Sequence, residues 1–123
     1  LRAGSVAAAR ASGPASGGMM AGAWLVVRAL VAETDRRDFD HWYRSEHLPD
    51  AMKAFGASRA SRGWSLTDPS VHYAFYRFAD VAAAEAVSTS PAIRALIAEF
   101  DARWGTRVTR TREIIEIADT LES

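Results

Sequence analysis

The chain contains no cysteine. That excludes a disulfide framework, a thiolate nucleophile and any cysteine-ligated metal site, and it suits a reducing cytoplasm. Net charge is also missing, with fifteen Lys and Arg against fifteen Asp and Glu. A chain without a net field has nothing general to concentrate a polyanion or an anionic lipid surface, so neither nucleic acid nor membrane is expected as a partner. No long apolar run occurs: the longest, Ala23–Val27, ends at Arg28 and falls far short of the ~20 residues that cross a bilayer. No Gly-rich phosphate loop, HExxH helix or Ser nucleophile elbow is present. His41 and His47 lie six apart on different sides of a helix, so no metal is expected.

What is there fits one ordinary globular domain. The 123 residues are 49% hydrophobic and 24% charged. Residues 1–22 are mostly Ala, Gly, Ser and Arg, with too little to bury to offset the entropy of ordering, so they are expected to be a disordered leader. No 7–15-residue apolar stretch follows Arg2 and Arg10, which argues against a secretory signal. Met19 and Met20 just ahead of the first structured residues suggest a natural start there, with the leader not native. The domain proper is expected over 23–118, followed by a short tail, 119–123.

Ala23–Val31 is apolar and β-branched, a first strand with Leu25, Val27, Ala29 and Val31 on one face and Trp24, Val26 and Leu30 on the other. Thr34 or Asp35 is placed to cap a helix in which Phe39, Trp42, Tyr43, Glu46 and His47 share a side. Pro49 disfavours helical geometry at Leu48 and predicts a break there, before a further turn to Phe55 and a stop at Gly56. Residues 57–66 and 71–78 read as a hairpin around Thr67-Asp68-Pro69-Ser70. Asp80 caps a second helix that Ser90-Pro91 divides, with Ile93, Leu96, Ile97, Phe100 and Trp104 as its apolar stripe and Gly105 as its end. Residues 106–117 form the last strand, where Arg107, Arg110 and Arg112 read as solvent-facing or interfacial.

The order is β-α-β-β-α-β, an α+β ferredoxin-like plan: a four-stranded antiparallel sheet with two helices on one face. Trp24, Val26, Leu30 and either Phe75 or Tyr76 would leave the other face too apolar for a monomer. A homodimer packed sheet to sheet is the natural remedy.

Within that plan, Trp42-Tyr43-x-x-Glu46-His47-Leu48-Pro49, then Gly56, then Arg59-Ala60-x-Arg62, resembles the dimeric α/β-barrel superfamily, in particular its EthD-like and related small uncharacterised members. The resemblance spans residues 23–118. It implies a dimeric barrel with a small-molecule pocket between helices and sheet in each subunit. It also implies the cofactor-free chemistry of some relatives: monooxygenases, isomerases, cyclases or dehydratases acting on aromatic or polyketide-like molecules. Haem-degrading relatives carry an axial histidine on the second helix; residues 80–103 hold no histidine, which counts against that branch.

His47 is the first candidate for chemistry, because imidazole exchanges protons near neutrality and the resemblance maps it onto the EHLP histidine. It would serve as general acid/base, or else tie down the helix end through a backbone carbonyl. Tyr43, one turn earlier, would donate a hydrogen bond to a substrate carbonyl or enolate, or sit in the core with its hydroxyl at the rim. Trp42, Trp64 and Tyr76 would wall the pocket, with a plain core position as the alternative for Trp42. Arg28 and Arg62 would clamp a carboxylate or phenolate, or pair with acids at the dimer interface. His72 is a further substrate-binding candidate, with an exposed strand-end position as its plain alternative. The expected function is a cofactor-independent small-molecule enzyme; a non-catalytic binding module or a purely structural dimer are the alternatives.

Overall fold

A computed structural model describes residues 22–123; of the expected leader, all but Gly22 lies outside the described residues. The sequence pattern translates into β1 (Ala23–Val31), a 3₁₀ turn (Glu33–Asp35), α1 (Arg36–Trp42), a π-helical turn (Tyr43–His47), α2 (Leu48–Phe55), β2 (Arg59–Trp64), β3 (Val71–Phe78), α3 (Val81–Ser88), α4 (Pro91–Trp104), a 3₁₀ turn (Gly105–Arg107) and β4 (Val108–Glu116). The strands form one antiparallel sheet in the order β2-β3-β1-β4. This is the ferredoxin-like plan expected from the order of elements.

Register decides which face each side chain serves. Opposite residues of an antiparallel pair lie on one face, so the rows Trp64–His72–Ala29–Arg110, Arg62–Ala74–Val27–Arg112 and Ala60–Tyr76–Leu25–Ile114 all point to the helices. Ala74, Tyr76, Leu25 and Ala29 are buried there. The α4 stripe closes over them through Ile93, Leu96, Phe100 and Trp104, all buried. Each fully buried member of such a stripe contributes ~1.5–3 kcal/mol.

The helix ends follow the sequence in part. Asp80 accepts from the Ala83 amide at 2.8 Å and Ser90 from the Ile93 amide at 3.2 Å, so Ser90-Pro91 does divide α3 from α4. Gly56 ends α2 at φ 66°, a left-handed position that suits glycine. Neither Thr34 nor Asp35 caps α1; the chain enters through the 3₁₀ turn, and Asp35 instead accepts from Arg107 at 2.7 Å.

The expected break before Pro49 does not occur. Leu48 is helical at φ −63°, ψ −48°, and its amide donates to the Tyr43 carbonyl five residues back. Proline cannot donate and its ring clashes with the carbonyl four residues earlier. One π-helical turn absorbs both problems by widening the helix locally, and α2 continues.

The opposite face of the sheet carries Trp24, Val26, Arg28 and Leu30 of β1, with Phe75 and Tyr73 paired against Val26 and Arg28. Phe75, not Tyr76, therefore belongs to this face. Trp24 meets Phe75 edge to face at 6.2 Å, and Phe75 stacks on Tyr73 at 5.9 Å. Among the described residues, no single helix is long and apolar enough to cross a membrane.

Candidate functional site

The π turn determines where His47 goes. In an α-helix, residues five apart point roughly 140° away from each other. The extra residue in the turn brings positions 42 and 47 into register, and the His47 ring stacks on Trp42 at 4.7 Å with 20° between planes. Tyr43 meets the same imidazole edge-on at 4.8 Å and Phe100 at 5.7 Å. Phe39, Trp42 and Tyr43 join His47 in the interior, whereas Glu46, expected on that side, is turned out to solvent.

His47 is 8% exposed, and its Nδ1 is buried without a hydrogen-bond partner. The carbonyl tie considered from sequence is therefore not made at that atom. Leaving a buried polar nitrogen unpaired costs about 1–3 kcal/mol, which makes it a feature to explain. Burial, and secondarily the positive charge of Arg110, pull its pKa down to about 4. The ring is neutral at pH 7 and able to accept a proton.

Beside it lies a cavity lined by His47, Tyr76, Phe100, Phe55, Arg110 and Arg112, with β1 and α4 aliphatics completing the wall. It offers about 30 Å³ to the centres of water-sized molecules, within a cleft of about 320 Å³ counting its open mouth. As shaped, the inner part suits one or two waters, and a larger molecule has to occupy the open mouth as well.

Tyr43 is buried behind this cavity, with its hydroxyl 3.4 Å from that of Tyr76. Burial raises the pKa of both phenols, that of Tyr43 to about 12. Both are neutral hydroxyls, and Tyr76 is the one at the cavity wall. Of the two phenols expected at the pocket, Tyr76 lines the cavity and Tyr43 stands behind it.

His72 is not an exposed strand end. It is 1% exposed, because it lies in the helix-facing row between Trp64 and Ala29. Its Nε2 lies 3.1 Å from Arg62 Nη1, and since a guanidinium only donates, Nε2 accepts. Arg62 Nη2 donates to Asp40 Oδ1 at 2.9 Å, and Trp64 Nε1 donates to the same oxygen at 2.8 Å. The Trp64 bond, followed by Arg62, holds the Asp40 carboxyl below the usual carboxylate range. Burial lowers the pKa of His72 to about 4 as well, with Arg62 adding to the effect.

His47, Tyr43, Trp42, Tyr76, His72, Arg62 and Trp64 are thus brought to the same side of the sheet. Arg28 is not: it is exposed on the opposite face, level with Tyr73 and Thr111. Sequence reasoning missed Asp40, which organises the Arg62 and Trp64 side chains, and Arg110, which is half-buried at the cavity; Arg112 borders the same cavity but is exposed, as expected. The signal for Arg110 was available. Val108 and Ile114 share its strand parity, and Val108 is buried. Among the described residues, no three metal-ligating side chains come together.

No family model matches the chain. No curated protein matches it either. Solved structures do. SnoaB from Streptomyces nogalater, a cofactor-independent oxygenase, superposes with a TM-score of 0.60 at 14% identity, over 83% of this chain and 98% of its own. An EthD family protein from Bacillus halodurans gives 0.58 at 14% identity, over 74% and 96%. A Deinococcus radiodurans protein, proposed by its name as an antibiotic biosynthesis monooxygenase, gives 0.63 at 9% identity, over 82% and 97%. At these identities the likeness establishes the fold, and it is the fold implied by the WYxxEHLP resemblance.

Proposed function

We propose that the cleft beside His47 is the active site of a cofactor-independent enzyme acting on a flat, mostly apolar, oxygen-bearing molecule of aromatic or polyketide type. The observation that carries this reading is a buried, neutral imidazole lining a cavity that is otherwise apolar except for Tyr76 and two arginines. Neutral His47 takes a proton from an activated C–H or O–H, and the Tyr76 hydroxyl, backed by Tyr43, donates to the oxygen on which charge develops. An imidazolium formed next to Arg110 is tolerated only while the new anion sits between them, which favours proton transfer to substrates whose anion is delocalised. SnoaB's description as a cofactor-independent oxygenase supports dioxygen as co-substrate. In that reaction a CH₂ takes up O₂ and becomes C=O with release of one water, the substrate supplying all four electrons. Isomerisation or cyclisation would use the same deprotonation without O₂.

The test is turnover of a panel of anthrones, polycyclic phenols and lactones, followed by oxygen uptake and mass spectrometry. His47→Gln is expected to lower kcat by about 10²–10⁴, the usual contribution of a positioned acid/base group, with its circular dichroism unchanged. A His47→Gln protein that turns over at the wild-type rate would sink the assignment. The narrow inner cavity favours a second reading, a binding or structural module, which predicts no product from any panel member.

The homodimer belongs to the same proposal. Leu30 and Ile115 are 39% and 43% exposed on the open sheet face, beside the Trp24–Phe75–Tyr73 aromatics, and pairing two such faces removes them from water. Sedimentation equilibrium should return a dimer mass that Trp24→Glu reduces to a monomer; a monomeric wild type at micromolar concentration would count against it.

A further inference from the structure

The cavity has a property that the acid/base reading does not use: its charge is all of one sign. Its wall includes Arg110 and Arg112, His47, Tyr76 and apolar side chains, and no carboxylate. The two arginines come from one strand at positions two apart, so both point to the helix side, across from Ala29 and Val27. Ala29 is the smallest residue in its row and leaves Arg110 room over the sheet.

Arg110 is held in a way that leaves its donors available. Its guanidinium lies 3.7 Å from the centre of the Phe100 ring, the ring that also borders His47. Its side chain is 14% exposed. Among the described residues its ion partner is Asp101, at 3.6 Å, on a side chain 62% exposed. That distance is beyond a hydrogen bond, and a carboxylate so wet neutralises little. A guanidinium has five N–H donors in a planar fork suited to a carboxylate or similar oxyanion. Stacking on Phe100 fixes the plane of the fork in advance, which lowers the entropy lost on binding. Burial also lowers the pKa of Arg110, the mark of a cation kept partly out of water.

We infer that Arg110 is the anion-anchoring residue of this cleft, and that its ligand is an organic anion with a ring-sized apolar body, carrying a carboxylate or an equivalent oxyanion. The inference rests on the cleft being a small-molecule site and narrows the substrate class. The oxyanion lies against the Arg110 fork with Arg112 adding charge, and the apolar body lies along Phe100, Ile97 and Leu96. That places a reacting atom near His47, with the ligand's charge offsetting the cost of protonating an imidazole beside an arginine.

The probe pair is 2-naphthoate and 2-naphthamide, equal in shape and differing in charge, titrated calorimetrically into the full chain. Naphthoate is expected to bind at least tenfold more tightly, with the advantage shrinking as salt rises. Arg110→Gln should bring the two Kd values together. Arg110→Lys, which keeps the charge and loses the fork, should retain part of the difference. Arg107→Gln removes an arginine paired at the surface with Asp35 and should behave as wild type; circular dichroism checks the fold of each variant. Equal binding of the two probes by the wild type, or an undiminished preference in folded Arg110→Gln, overturns the role of Arg110 while the cleft remains a ligand site. Failure of both probes to bind removes the ligand site and this inference with it.

Discussion

His47 and His72 are both buried, both belong to the aromatic cluster around Phe39 and Tyr43, and both have a pKa pulled down to about 4. They sit in opposite chemical situations. His72 is built into a chain of partners, with Arg62 on its Nε2, Asp40 behind Arg62, and Trp64 on the same carboxylate oxygen. His47 stacks on Trp42 and leaves Nδ1 unpaired beside a cavity. The fold gives His72 Nε2 a partner and leaves His47 Nδ1 without one, a difference of about 1–3 kcal/mol in the cost of burial. Such an orphan calls for an explanation, and the ligand site proposed above is one. By this comparison, depressed basicity alone does not separate the two histidines; their partners do.

The largest effect should come from pH, because it acts on both residues at once. An unfolded histidine binds a proton below about pH 6.5, whereas these two resist until about 4. The unfolded state therefore holds more protons between those values, and stability falls as the pH drops. Their contribution is complete above pH 6.5. By pH 5 each should have lost about 2 kcal/mol, roughly 4 kcal/mol together, as read from urea midpoints. A flat stability profile from pH 7.5 to 5 would show that neither ring is held neutral by burial. The single-histidine variants then divide the effect, each removing about half of the pH dependence.

The next effect separates the two. Replacing His72 with leucine removes the acceptor for Arg62 Nη1 in a half-buried network and is expected to cost about 2 kcal/mol at pH 7.5. Replacing His47 with leucine deletes an unpaired nitrogen, and the gain offsets the lost stacking on Trp42, so the change should stay within about 1 kcal/mol.

Sequence reading reached unequal depth in the same two regions. Element order, strand parity and the Ser90-Pro91 division of the second helical segment were legible, because periodicity and turn chemistry are local signals. The burial of His72 was not legible: the pattern of the third strand left open whether Phe75 or Tyr76 faced the core, and the position of His72 near the turn suggested an exposed end. What decides burial is coverage by α1 and by Trp64, a tertiary fact. The continuity of the helix past Pro49 was hidden, since a π turn has no composition of its own and proline alone argues for a stop. That turn is also what stacks His47 on Trp42, so the site's central contact could not be derived from α-helical spacing. Arg110 was misread because arginine in a strand suggests solvent; the buried Val108 two residues before it was the better guide. Asp40 carried no signal, since its partners are 22 and 24 residues away in sequence.

The most direct test of whether His47 is kept for a ligand is the pair of urea unfolding midpoints at pH 7.5 for His47→Leu and His72→Leu, each against wild type. The expected result is a His47→Leu midpoint at or near that of wild type, with His72→Leu clearly below both. A His47→Leu protein as destabilised as His72→Leu would contradict the account and make His47 a structural residue of the helix.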